Sequence, residues 1–120
     1  MNKILVIEDN EQNMYLIDFI LRKHGFEVIQ AINGQEGINR AVDTEPDLII
    51  MDWQLPDING IEVTKELKKK EALKKIPIVF CSSNVMKGDR EIAFEAGASG
   101  YIEKPIIPEE FIEEIKKYFQ

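Results

Sequence analysis

Apolar runs alternate along the chain with stretches of helical period. KILVI, Lys3–Ile7, is short and continuous, as a parallel strand buried on both faces should be. The same reading predicts strands over Glu27–Ala31, Asp47–Met51, Pro77–Cys81 and Ser99–Ile102. Between them lie helix-period segments: Gln12–Lys23, Gly34–Val42, Gly60–Lys70, Lys87–Ala96 and Pro108–Tyr118. Met14, Ile17, Ile20 and Leu21 share one stripe of the first helix, which Gly25 ends. The Glu45-Pro46 step stops the second helix, and Ile61, Val63 and Leu67 point inward from the third. Gly97 caps the fourth helix, and Pro108 occupies the first turn of the last.

Five βα units in succession predict an α/β fold, a doubly wound five-stranded parallel sheet with helices on both faces. No linker, repeat or low-complexity stretch interrupts it, so residues 1–120 are expected to form one domain, with no room for a second. No apolar run approaches the ~20 residues a membrane span needs. MNKILVIEDN has too short an apolar run, and too acidic an end, for a signal peptide. The single cysteine, Cys81, excludes an internal disulfide and fits a reducing cytoplasm. A net charge of −7 argues against a nucleic-acid partner. The local basic cluster of Lys65, Lys68, Lys69, Lys70, Lys74 and Lys75 reads as a solvated helix end.

In such a sheet, ligands sit beyond the carboxyl ends of the strands. Glu8 and Asp9 follow the first strand, Asp52 the third, Ser82 and Ser83 the fourth, and Lys104 the fifth. Singly, each has a plain structural role. Asp9 or Asn10 can cap the first helix, and Ser82, Ser83 or Asn84 the fourth. Asp52 can be a turn residue and Lys104 a solvated side chain. Together they are harder to dismiss. Two like charges ~4 Å apart repel by about 4 kcal/mol at an effective dielectric near 20, so three gathered carboxylates cost on the order of 10 kcal/mol. A whole domain is stable by only about 5–15 kcal/mol. Such a cluster calls for a divalent cation, a lysine or raised pKa values. Carboxylates, a backbone carbonyl and waters are the hard oxygen ligands of Mg²⁺. A metal, a hydroxyl and an ammonium around one carboxylate make a phosphoryl-transfer site, with Asp52 as nucleophile.

The stretches VIEDN (6–10), MDWQLPDING (51–60), PIVFCSSNVMKGDR (77–90) and GYIEKP (100–105) resemble the receiver domain of two-component response regulators, of the stand-alone, chemotaxis-regulator-like type. The resemblance runs the whole length of the chain. It implies strand order 2-1-3-4-5, a flavodoxin-like arrangement. It also implies a phosphorelay switch, rather than an enzyme acting on a separate substrate, that catalyses its own phosphorylation and dephosphorylation. Asp52 would be the phosphoacceptor. Asp9 would bind Mg²⁺ (or Mn²⁺ in vitro) directly, Glu8 through water, and Gln54 through its backbone carbonyl. Ser82 would turn toward the phosphoryl group, Tyr101 would follow it inward, and Lys104 would bind it. Gln54 and Asn84 would tune its lifetime, and the Lys104-Pro105 bond would be cis. Glu8 stands where the family more often has Asp, and Ser82 where Thr is commoner. The donor would be a histidine kinase or histidine phosphotransfer protein. Output would pass to a downstream protein through the face of helix four, strand five and helix five, with no nucleic acid or membrane involved.

Three other readings stand beside this one. A flavodoxin-type flavin protein would cradle phosphate after the first strand, where this chain instead places Glu8, Asp9 and Asn10. A receiver-like adaptor would bind partners without phosphorylation, which the full acidic, hydroxyl and lysine set argues against; a third reading is a receiver cut from a hybrid kinase, against which Met1 and the clean end of the last helix weigh. His24 at the end of the first helix reads as a favourable C-terminal charge rather than a phosphodonor. Cys81 reads as core, and Phe94, Ile112, Tyr118 and Phe119 as mostly core with some exposed for docking. Trp53 either covers its loop or meets a partner.

Overall fold

A computed structural model describes residues 2–83, 86 and 88–120. Asn84, and the expected helix start at Lys87, lie outside the described residues. The elements run β1 (Lys3–Ile7), α1 (Glu11–Lys23), β2 (Glu27–Ala31), α2 (Gly34–Thr44), β3 (Leu48–Met51), α3 (Gly60–Lys68), β4 (Ile78–Ser82), α4 (Asp89–Ala96), β5 (Gly100–Glu103) and α5 (Pro108–Lys116). All strand pairs are parallel, in the order β2-β1-β3-β4-β5.

The strands read as unbroken apolar runs because helices cover both faces of the sheet. Ile4, Val6, Leu48, Ile50, Val79 and Cys81 point to one side, onto Met14, Ile17 and Leu21 of α1 and Phe111 and Ile115 of α5. Their neighbours Leu5, Ile7, Ile49, Met51, Ile78 and Phe80 point to the other, onto Ala41 of α2, Val63 and Leu67 of α3 and Ala93 of α4. Each fully buried Leu or Ile contributes about 1.5–3 kcal/mol, so this alternation fixes the register of the whole sheet.

Where boundaries depart from the periodicity, a local bond explains it. Of the two candidate caps for α1, Asn10 holds the position, its side chain accepting from Asn13 N at 2.9 Å, and the helix begins at Glu11. Helix α2 runs past Val42 to Thr44 and stops at Glu45, which turns into the left-handed region (φ 43°) before Pro46. Strand β4 reaches Ser82 because Lys104 N donates to Ser82 O at 3.0 Å and lengthens the ladder. Neither Ser82 nor Ser83 caps α4, whose N-cap is Gly88 without a side-chain bond. Helix α5 ends at Lys116 and tightens into a 3₁₀ turn over Lys117–Phe119. His24 is the C-cap of α1, with Nδ1 2.9 Å from Ile20 O. In the basic cluster, Lys65, Lys69 and Lys74 pair with Glu62, Glu66 and Glu71, while Lys68 Nζ donates to the carbonyls of Lys74 and Ile76. Among the described residues, no helix is long and apolar enough to cross a membrane.

Candidate functional site

The strand register gathers the polar residues. Ile7 pairs with Met51 and Met51 with Phe80, so Glu8, Asp52 and Cys81 come next at one level. Asp52 N donates to Ile7 O at 3.0 Å and Glu8 N to Ala31 O at 3.0 Å, carrying the ladders just past the last apolar side chains. Ser82 pairs with Glu103, which delivers Lys104 to the same edge. The Lys104-Pro105 bond is cis. Asp52 and Glu8 are 8 % and 2 % exposed, burial an unpaired carboxylate would not tolerate.

Their partner is Lys104. Its Nζ donates to Glu8 Oε1 at 2.7 Å and to Asp52 Oδ2 at 3.3 Å. Glu8 Oε2 accepts from Asn10 N at 3.1 Å, and Asp52 Oδ1 from Gln54 N at 3.3 Å. Glu8 is thus bound directly to the lysine, a contact that sequence position alone does not reveal. Burial pushes the Glu8 carboxyl above its ordinary range; the Lys104 hydrogen bond pulls it back, and the charge of Asp52 raises it again. Burial alone would lower the Lys104 pKa, but the Glu8 hydrogen bond and the charge of Asp52 outweigh it and the net shift is upward. The ammonium is therefore held charged between two carboxylates.

Glu8, Asp9 and Asp52 each offer an oxygen within 4.8 Å of the others. Trans ligands of an octahedral Mg²⁺ with bonds near 2.1 Å lie about 4.2 Å apart, so the three fit one ion with slight closure or with water at one vertex. Three carboxylates against one ammonium leave a charge that a divalent cation balances. The donors are all hard oxygens, and exposed Asp9 keeps one side of the cluster open. Gln54 lies on the loop that leaves Asp52. Gly60 closes that loop: its N donates to Trp53 O at 2.7 Å, and a Cβ there would stand 2.5 Å from Asp52 O. Only glycine permits this approach. Among the described residues, the turn after β1 presents Glu8, Asp9 and Asn10, with Asn10 N already donating to Glu8 Oε2, where a flavin phosphate would need free donors.

Ser82 is 1 % exposed. Tyr101 lies inward, 7 % exposed, its ring stacked on Phe80 at 6.2 Å with 3° between planes. Burial raises its phenol pKa, and the Ser82 hydroxyl partly offsets that. The Arg90 guanidinium sits 5.3 Å from the Tyr101 ring centroid and 3.6 Å from Glu103. Sequence reasoning missed this contact, since nothing in the spacing of Arg90 signals it. The packed Tyr101 is the inward one of the two conformations between which phosphorylation is expected to shift the balance. Trp53 is half-buried and meets Phe80 and Tyr101 edge-on at 5.7 and 6.5 Å, so it covers the aromatic cluster beside Asp52. Cys81 is buried, its thiol pushed up to about 12 chiefly by that burial.

Comparison with known proteins agrees with this geometry. The family model of the response regulator receiver domain matches residues 4–116. The polar-differentiation response regulator DivK of Brucella anthropi is 44 % identical over 115 residues, covering 96 % of this chain and 94 % of the relative. Chemotaxis protein CheY4 of Vibrio cholerae superimposes with a TM-score of 0.93 at 25 % identity, covering 98 % of each chain. The receiver domain of sensor histidine kinase PA1611 from Pseudomonas aeruginosa, solved with a magnesium ion in its active-site cleft, superimposes with a TM-score of 0.90 at 31 % identity, covering 98 % of this chain and 96 % of that one.

Proposed function

The chain belongs to the response regulator receiver domain family, the switches of two-component phosphorelay signalling, and we propose that it accepts a phosphoryl group from a phosphohistidine onto Asp52. The observation that carries this reading is the convergence of Glu8, Asp9, Asp52, Ser82 and Lys104 on one sheet edge. An Asp52 carboxylate oxygen forms the new P–O bond as the P–N bond to the donor imidazole breaks, leaving an acyl phosphate. Glu8, Asp9, Asp52 and the Gln54 carbonyl are the residues that would hold Mg²⁺ (or Mn²⁺ in vitro), which when bound neutralises charge on the phosphoryl oxygens. Lys104, already 3.3 Å from Asp52, places its ammonium against those oxygens, and the Ser82 hydroxyl donates to one of them. The chain thereby catalyses its own phosphorylation and the hydrolysis that reverses it, with Gln54 and Asn84 tuning the lifetime.

Output follows from a shift between existing conformations. With Ser82 drawn to the phosphoryl group, the packed Tyr101 is favoured over an outward one, and the face of α4, β5 and α5 changes for a downstream protein. The donor, a histidine kinase or phosphotransfer protein, docks beside the site. Exposed Tyr15 and Phe19, stacked 6.4 Å apart, offer that partner an aromatic patch on α1, the helix that begins two residues after Asp9. We read residues 1–120 as one receiver unit working in the cytoplasm. Incubation with acetyl phosphate and Mg²⁺ followed by intact mass tests the reading. It expects a phosphoryl adduct on the wild type and none on Asp52→Ala; no adduct on the wild type, or an equal one on the variant, refutes it.

A further inference from the structure

The loop that leaves Asp52 is fastened at its tip to a different helix. Asp57 Oδ1 accepts from Gly34 N at 2.7 Å, and Oδ2 accepts from Gln35 N at 2.9 Å. These are the first two amides of α2, which no carbonyl within the helix can satisfy. The third, Glu36 N, donates to Asn33 Oδ1 at 2.8 Å, and the regular helical ladder begins with Gly37 N on Asn33 O at 3.0 Å. The free amides of residues 34–36 are thus all satisfied, two of them by a carboxylate 22 and 23 residues away in sequence. The negative group also lies on the positive end of the helix dipole. Packing seats the same contact. Ile58 is half-buried, and a Cβ on Gly34 would come within 2.8 Å of Ile58 Cγ1 and 2.9 Å of Val63 Cγ2, so glycine lets the helix end reach the loop.

We infer that Asp57 is a positioning residue for the site, clamping the loop between β3 and α3 so that the Gln54 carbonyl is presented to a metal at Asp52. The inference rests on the reading of Asp52 as a metal-assisted phosphoryl acceptor. The loop is closed at its base by Gly60 N on Trp53 O, and Gln54 lies between that closure and the Asp57 clasp. With the clasp removed, the base closure remains but the tip samples other conformations. Apparent metal affinity then falls by the fraction of molecules in which the loop is correctly placed. At saturating metal the ion itself orders the loop, so the chemical rate returns. Asp57 therefore acts on metal affinity and not on the maximal phosphorylation rate, a split that general loss of structure would not produce.

The experiment titrates Mg²⁺ against the emission of Trp53, the single tryptophan and the neighbour of Asp52, in wild type, Asp57→Ala and Asp57→Asn. Losing a partner that orients a metal ligand weakens binding by about tenfold or more, and that is the expected result for Asp57→Ala. Asp57→Asn keeps one accepting oxygen and should fall between the two. In metal-free protein, amides of residues 54, 55 and 57–59 should exchange faster in both variants. Phosphorylation from acetyl phosphate at saturating Mg²⁺ should match the wild type. Unchanged Mg²⁺ affinity in a folded Asp57→Ala, or a maximal rate that stays reduced at saturating metal, overturns the inference. If Asp57→Ala does not fold, Asp57→Asn decides by the same criteria. If the wild type itself neither binds Mg²⁺ nor takes a phosphoryl group, the reading of Asp52 falls and takes this inference with it. A wild type that does both, beside variants that match it, overturns the role of Asp57 alone.

Discussion

Replacing Lys104 by methionine removes the ammonium while keeping most of the apolar stem. Glu8 and Asp52 are then left 2 % and 8 % exposed without their cation. At an effective dielectric near 20, the contacts at 2.7 and 3.3 Å correspond to gross attractions of about 6 and about 5 kcal/mol. Desolvation cancels much of this in the intact pair, and removing one partner of a buried pair costs about 3–5 kcal/mol. At roughly 4 °C per kcal/mol for a domain of this size, the lower figure is a fall in Tm of about 12 °C. The loss must also depend on pH. The Glu8 pKa is raised on folding, so the stability Glu8 contributes is fully present below its ordinary 4.5 and is lost as pH rises through the raised value. Without the Lys104 hydrogen bond that value climbs further, and the loss extends to higher pH. Lys104 itself, also raised, contributes fully at any pH below 10.5 and does not shape this window. The gap between wild type and Lys104→Met should therefore be smaller near pH ~5 than near pH ~8. Thermal melts followed by circular dichroism in EDTA measure it, and added Mg²⁺ should raise the Tm of the variant more than that of the wild type. A gap of the same size at both pH values, or no loss of Tm, would refute the reasoning.

Phe19→Ala removes half of the exposed aromatic pair on α1 and should slow phosphotransfer from a protein donor by about tenfold while leaving acetyl phosphate unaffected; equal slowing with both donors would place Phe19 outside the docking surface. Arg90→Ala removes a cation–π contact and an exposed ion pair, together worth roughly 1 kcal/mol, so the inward-to-outward ratio of Tyr101 should drop about fivefold. The Tyr101 ring signals in NMR report that ratio, and unchanged signals would contradict the role given to Arg90. The Cys81 thiol, pushed up to about 12, should resist alkylation in the native protein at neutral pH and react only on unfolding; rapid native labelling would contradict its burial.

The sheet was legible because its strands are buried on both faces and so appear as continuous apolar runs. Its order followed from the resemblance rather than from periodicity. Helix ends were legible only where proline or glycine marks them. Glu45 turns left-handed and Asn10 supplies its own cap, choices made by local geometry among residues that look interchangeable in sequence. The candidate site was visible because Glu8, Asp9, Asp52, Ser82 and Lys104 share one kind of position, the carboxyl end of a strand. The bonds among them were less visible. Lys104 reaches Glu8 across 96 residues and Asp57 reaches Gly34 across 23, pairings that depend on the order of the strands and on how α2 sits against the sheet. Trp53 shows the same limit. Its place beside Asp52 was plain, but its contact with Phe80 and Tyr101 depends on which way the indole turns.

The central claim is that Asp52 is the carboxylate that takes the phosphoryl group. Borohydride reduces an acyl phosphate to the corresponding alcohol, so protein phosphorylated in Mg²⁺, reduced and digested carries a permanent mark at the acceptor, read by peptide mass. The account predicts the mark at position 52 alone, and its absence when EDTA replaces Mg²⁺. A mark at Asp9, Glu8 or any other residue, or one at position 52 that forms equally without metal, would contradict it.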